Sequence, residues 1–410
     1  MSDRQPPEPG TLVLCGARLA DGRAVDVRVG GGRIEAVGTA GSLAPARNPG
    51  PSDVDLSGYL LLPAPAEPHA HYDTALTAPP PGAAGRPDDP RRRATEAALL
   101  QLSHGATAVR SHVRVGDVTG LHALEAVLRT AEALTGLTRL TTVAVPRLLT
   151  GVAGADGRAA LRDAAKLGAG ALGGCPDLDP DPSGYAETVV EVAAEHGCAV
   201  DLHTEGDDPA RLARLAAATG GLRTGVTIGP CGGLSRLPAE VARRAADQLA
   251  AAGMTVVVLP QGDCGVRGRP PERGAATAPV RLLTAAGVPV AAGSGAIRDA
   301  ANEVARGDPL EAAYQLACRG EAGPAAAYAA VSSRARAAMG LPEVRVEAGF
   351  PAELLAVRGA QLPAALSLGY SRLVIHRGRI VARTSAVREF CDVTPSARPA
   401  SPGLPRQAQG

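Results

Sequence analysis

His69 and His71 stand one residue apart at the end of Pro63-Ala-Pro-Ala-Glu-Pro-His-Ala-His71, just where an apolar run gives out. In an extended segment residues i and i+2 project to one face, so both imidazoles can reach a single cation, an arrangement that zinc and iron accept readily. The plainer reading is a pair of strand-end histidines that only hydrogen-bond carbonyls. Two more histidines favour the cation: His203 closes Val200-Asp-Leu-His203, and His112 closes Arg110-Ser-His112. Taken alone, His112 also suits a structural role or a supporting one behind the ligands. His104, His122, His196 and His376 sit in helical or accessory segments and are expected to face solvent.

The elements that must position these histidines alternate between compact apolar strands and Ala/Leu/Arg-rich helices. Strands are expected at 59–65, 106–113, 139–146, 170–174, 198–204, 224–229, 254–260 and 288–294, with helical stretches such as LHALEAVLRTAEALTG and AEVARRAADQLAAAG between them. Eight strand-helix alternations predict an α/β fold of the (β/α)8 TIM-barrel type, whose chemistry sits at the C-terminal strand ends. Three of those strands then deliver a histidine to the same rim. A doubly wound open sheet is the structural alternative, but Gly293-Ser-Gly-Ala-Ile-Arg298 is not a GxGxxG fingerprint.

Residues 11–62 and 344–382 have a different texture, short alternating β segments broken by Gly and Pro. They are expected to pair into one small β-sandwich, giving a composite β domain from 1–63 and 344–390 and a barrel over 64–343. The Pro-rich segment 78–93 reads as a loop and 391–410 as a disordered tail.

Composition narrows the function classes. The chain has 410 residues, 42 basic and 41 acidic, for a formal charge of +1, which leaves no electrostatic footprint for nucleic acid or an anionic membrane. A small-molecule partner is expected instead. Gly 50 and Pro 35 with 45% hydrophobic residues suit a globular protein rich in turns. The seven cysteines include no CxxC pair, and no apolar run or N-terminal apolar segment suggests export, so a reducing cytoplasm is expected. The sole lysine, Lys166, lies in a helix-like segment, where it cannot bridge two metals. No GxSxG nucleophile elbow exists, and His203-Thr-Glu205 followed by Pro230-Cys231 lacks the second cysteine of the HxE…PCxxC zinc deaminases.

Over nearly its whole length the chain resembles the amidohydrolase superfamily, specifically its cytosine deaminase branch. The resemblance is carried by Pro63 through Thr74, Gly105-Ala-Thr-Ala-Val-Arg-Ser-His-Val113, Val143-Ala-Val-Pro146, Lys166-Leu-Gly-Ala169 and Asp201-Leu-His203. It implies hydrolysis of a non-peptide C–N bond in a small molecule by water activated on one divalent metal, zinc or iron. Metal ligands at His69, His71 and His203 are implied by the same resemblance. Such enzymes complete the shell with a strand-8 aspartate, shuttle protons with a glutamate three residues beyond the strand-5 histidine, and use a strand-6 histidine and a strand-3 glutamine.

Those further positions fall here on Gly295, Gly206, Pro230 and Arg147. Glu205 is one step from the shuttle position and is the candidate catalytic carboxylate; Arg147 and His112 are candidate substrate-binding groups. A guanidinium at a barrel mouth suits an anionic substrate, while an ion pair with Asp177 or Glu205 is the bland alternative. The departures point away from cytosine. Two readings follow: an active amidohydrolase with a three-histidine mononuclear centre, or a homologue that keeps the fold, has lost the chemistry and acts as a binding or partner protein. Restoring Gly206→Glu, Pro230→His and Gly295→Asp is expected to raise metal affinity.

Overall fold

The structure is a computed structural model and describes residues 11–43, 53–78, 89–116, 120–219, 222, 225–262, 276–387 and 389. The expected tail at 391–410 and most of the expected 78–93 loop lie outside the described residues. The last residues of that stretch are helical: Asp89 accepts from the backbone N–H groups of Arg91 and Arg92 and caps a helix Pro90–Ser103 with proline at its first turn.

Five strands come first: β1 (Leu12–Arg18), β2 (Ala24–Gly30), β3 (Arg33–Thr39), β4 (Asp53–Asp55) and β5 (Tyr59–Pro63). Eight more follow in alternation with helices: β6 (Ala66–Ala70), β7 (Ala108–Val115), β8 (Arg139–Pro146), β9 (Ala171–Gly174), β10 (Ala199–Thr204), β11 (Val226–Pro230), β12 (Thr255–Val258) and β13 (Val290–Ala292). The chain closes with β14 (Leu354–Arg358), β15 (Arg372–His376) and β16 (Arg379–Thr384).

Strands β6 to β13 pair in sequence order, each parallel to the next. A parallel bridge between Ala70 and Gly295, with the Gly295 N–H donating to the His69 carbonyl at 3.1 Å, joins the last strand's end to the first and closes the barrel. Helices sheathe it with one apolar stripe each. The helix Pro182–His196 buries Tyr185, Ala186, Val189, Val192 and Ala193, starts at an Asp181 cap and stops at left-handed Gly197.

The N- and C-terminal segments make the small β-sandwich. Its strands run in the order β16-β15-β14-β5-β1-β2-β3, with β4 also on β1, around a core that mixes Leu14, Val27 and Ile34 with Leu354, Ala356 and Ile375. Arg372 of β15 ties it to the barrel through both carboxylate oxygens of Asp308, at 2.8 and 2.7 Å, and Asp308 also caps the helix Pro309–Cys318.

One expectation needs correction. The strand at 59–65 is not the first barrel strand: Tyr59–Pro63 pairs antiparallel with β14, and β6 opens the barrel instead. The three leucines misled because Leu60 and Leu62 pack toward the barrel side while Leu61 enters the sandwich core, so the strand is apolar on both faces. True strand 1, Ala-Glu-Pro-His-Ala, looks polar because alternate side chains aim into the barrel.

Candidate metal centre

The period of a strand sorts the barrel interior into layers. In β10, Val200 and Leu202 join the outer hydrophobic core while Asp201 and His203 face the opposite way, inward. In β7, Val109 and Val113 do the same and Arg110 and His112 face inward. Glu67, His69 and His71 form the corresponding series on and just after β6. A lower layer of Glu67, Arg110 and Asp201 therefore underlies an upper one of histidines.

The upper layer brings four imidazoles together. His69, His71, His112 and His203 each offer a ring nitrogen such that all four lie within 4.8 Å of one another. The Nε2 atom of His69 is 3.2 Å from Nε2 of His71 and 2.9 Å from Nε2 of His203. Two nitrogens on one tetrahedral zinc, with bonds of about 2.0–2.1 Å, would stand roughly 3.3 Å apart, so these spacings are close to a ligand set. Ring centroids lie between 4.2 Å (His69 to His112) and 5.4 Å (His71 to His203), with no carboxylate in the group.

Electrostatics agree with geometry. Burial holds the His71 and His203 imidazoles down to about 3, and burial together with neighbouring imidazoles holds His69 and His112 well below the usual range. All four are neutral near pH 7 and keep a lone pair for a cation. Nδ1 of His69 and of His203 and both ring nitrogens of His112 are buried without a hydrogen-bond partner. The Nε2 atoms of His69, His71 and His203 instead face one another, and one divalent ion among them would engage lone pairs that shared protons cannot all satisfy. The residues fit the group.

The lower layer holds the ligands in place. Glu67 accepts from the His69 N–H at 3.0 Å and from the Ser294 N–H at 2.9 Å, and burial pushes its carboxyl up to about 7. Arg110 donates to Asp201 at 3.0 Å, and the other oxygen of Asp201 lies 3.3 Å from His112 Nε2, without hydrogen-bond alignment. At the rim Asp73 accepts from Arg114 at 2.8 Å, beside His71. The sequence reading gave no role to Glu67, Asp73, Arg110, Arg114 and Asp201; the signal was a position two residues from a histidine, on the same strand or, for Asp73, just beyond it.

His69, His71 and His203 lie where the resemblance implies. His112, expected among substrate-binding groups, stands inside the same cluster. Glu205 does not join it: its carboxylate faces Arg236 at 3.7 Å, and its backbone N–H donates to Asp177. Arg147 is exposed just beyond β8 and, among the described residues, pairs with neither acid proposed for it; Asp177 takes Arg211 at 3.0 Å. Gly206 has φ +69°, and a side chain there would meet Leu234 and Leu212 rather than the imidazoles. Gly295 has φ +70° and serves the barrel's closure. Asp299 is buried, accepting from Thr74 at 3.0 Å and from the N–H groups of Ala301 and Asn302.

Comparison with known proteins agrees with this arrangement: residues 87–382 match the amidohydrolase family. The chain belongs to the amidohydrolase family. A pterin deaminase of Rhizobium rhizogenes is 32% identical over 228 residues, covering 52% of each chain, so the chain spans about half the length of that curated relative. The N-isopropylammelide isopropylaminohydrolase structure from Burkholderia multivorans superposes with a TM-score of 0.78 at 25% identity, covering 92% of this chain and 99% of that one. A 5-methylcytosine deaminase from Klebsiella pneumoniae shares the fold at TM-score 0.78 and 23% identity, over 93% of this chain and 99% of its own. Among the described residues no helix is long and apolar enough to cross a membrane.

Proposed function

We propose that His69, His71 and His203 hold one divalent ion, zinc or iron, and that the barrel hydrolyses a non-peptide C–N bond in a small molecule other than cytosine. The observation that carries this is the convergence of neutral, buried imidazoles from β6 and β10 at the C-terminal end of an amidohydrolase barrel. When bound, such an ion polarises its ligands and acidifies water at neutral pH. Relatives named as a pterin deaminase and an isopropylaminohydrolase support C–N cleavage as the reaction class.

The chain's own residues set what substrate fits. Arg147, exposed and without an ion-pair partner among the described residues, presents a planar fork to an anionic group at the mouth. His112, fixed near Asp201, contacts the substrate from inside the histidine layer. Glu205 carries a proton only after leaving Arg236, and Glu205→Gln tests that role. Gly206, Pro230 and Gly295 supply no acid, base or ligand side chain, which argues against deamination of cytosine.

A second reading has its own observation. All four imidazoles lie within one 4.8 Å group that contains no carboxylate, the composition of a closed shell rather than an open catalytic one. In that case the protein is an inactive homologue with a binding or partner role. His112→Ala separates the two: an active enzyme keeps its metal and changes KM in an ammonia-release screen of aminated small molecules, whereas a closed site loses metal affinity and shows no turnover in either form.

A further inference from the structure

The barrel's opposite face, under the N-terminal strand ends, holds a cleft of about 370 Å³ where the first turns of β7 and β8 meet the sandwich. Its lining includes Thr107, Arg139, Arg336, Glu353, His376 and Arg377. Two of these side chains are unsatisfied. Arg336 is 5% exposed; its Nε donates to the Pro342 carbonyl at 3.1 Å, but Nη1 is buried with no partner. Thr107 is fully buried and its hydroxyl has no partner either.

The charge of the lining is positive. Glu353 is already answered: His376 Nδ1 lies 2.6 Å from one oxygen and the Arg377 N–H donates to the other at 3.3 Å. That leaves Arg139, Arg336 and Arg377 against a carboxylate with its own partners. Burial pushes the Arg336 guanidinium down from its ordinary value; Glu353 works against that fall and Arg139 adds to it. Arg336 and Thr107 line the same cleft, and each keeps a side-chain donor without a hydrogen-bond partner, which suits an oxyanion ligand.

We propose that this cleft is a second binding site, for a small oxyanion of the phosphate or carboxylate class, held by Arg336 with Thr107 and Arg139. It lies at the end of the barrel opposite the histidines, so its ligand is a regulator or stabiliser and not the substrate.

The test is calorimetric titration of the full-length protein with inorganic phosphate and, separately, succinate. Both are done in an Arg147→Gln background, which removes the mouth arginine as a competing anion contact. The proposal expects saturable binding of one anion per chain, weakened about tenfold or more by Arg336→Met. Arg139→Gln, an exposed substitution that leaves the core untouched, should also weaken it severalfold, so a poorly folding Arg336 variant does not decide the matter. Tighter binding of phosphate than succinate identifies phosphate monoesters as the ligands, and the reverse identifies carboxylates. No saturable binding of either anion, or binding that Arg139→Gln and Arg336→Met leave unchanged, overturns the proposal.

Discussion

The Nε2 atoms of His69 and His203 lie 2.9 Å apart although 134 residues separate them in the chain. One comes from the first barrel strand and the other from the fifth, so only a closed barrel makes them neighbours. At most one proton can lie between these two nitrogens, and an ion bound between them would engage both lone pairs. Adding zinc to metal-free protein should therefore raise the melting temperature, by several degrees at zinc well above its dissociation constant. His203→Ala should abolish that rise.

Gly206→Glu and Gly295→Asp test the backbone and not the chemistry. The sequence reading expects these changes, with Pro230→His, to raise metal affinity. The structure argues against such a gain, because both glycines are left-handed and a side chain at 206 points at Leu234 and Leu212. Each change should cost about 1–2 kcal/mol through the backbone alone, read as a lower urea midpoint, with no gain in bound metal.

How much of this was legible without coordinates depends on where each side chain points. The barrel, the composite sandwich and the convergence of His69, His71 and His203 followed from strand-helix alternation and the i, i+2 spacing. The first barrel strand did not, because its inward residues are polar and the neighbouring leucine run is more apolar. His376 was expected to face solvent, yet it is 5% exposed and bound to Glu353; His104 is half-buried. A partner more than twenty residues away in sequence leaves no local pattern. The sign of φ at Gly206 and Gly295 is likewise invisible, since glycine occupies either region freely.

Asp201→Ala should be severely destabilising. It strands Arg110, whose side chain is 6% exposed, beneath the histidines, and leaving one member of a buried ion pair costs about 3–5 kcal/mol. Chemical denaturation of the two proteins measures the difference. A loss under about 1 kcal/mol would mean that water replaces the carboxylate and that the lower layer is wetter than described.

Arg147→Gln should leave stability unchanged, because the side chain is exposed and makes no ion pair with Asp177 or Glu205. Its effect belongs to substrate: KM for acidic substrates should rise about tenfold or more, with neutral ones unaffected. Equal effects on both would assign the arginine to general architecture.

Cytosine turnover should stay below about 1 s⁻¹ even with the protein loaded with zinc or iron, since Gly206, Pro230 and Gly295 offer no acid, base or ligand. A rate in the ordinary enzyme range would show that other residues take over those roles.

The central claim is that the buried histidines of this amidohydrolase-family barrel hold one divalent ion. Elemental analysis of the purified protein, run beside His203→Ala, tests it most directly. The account predicts close to one zinc or iron per wild-type chain and a large loss in a variant that still folds, as judged by circular dichroism. Wild-type protein that carries no metal and takes up neither zinc nor iron when they are supplied would contradict it.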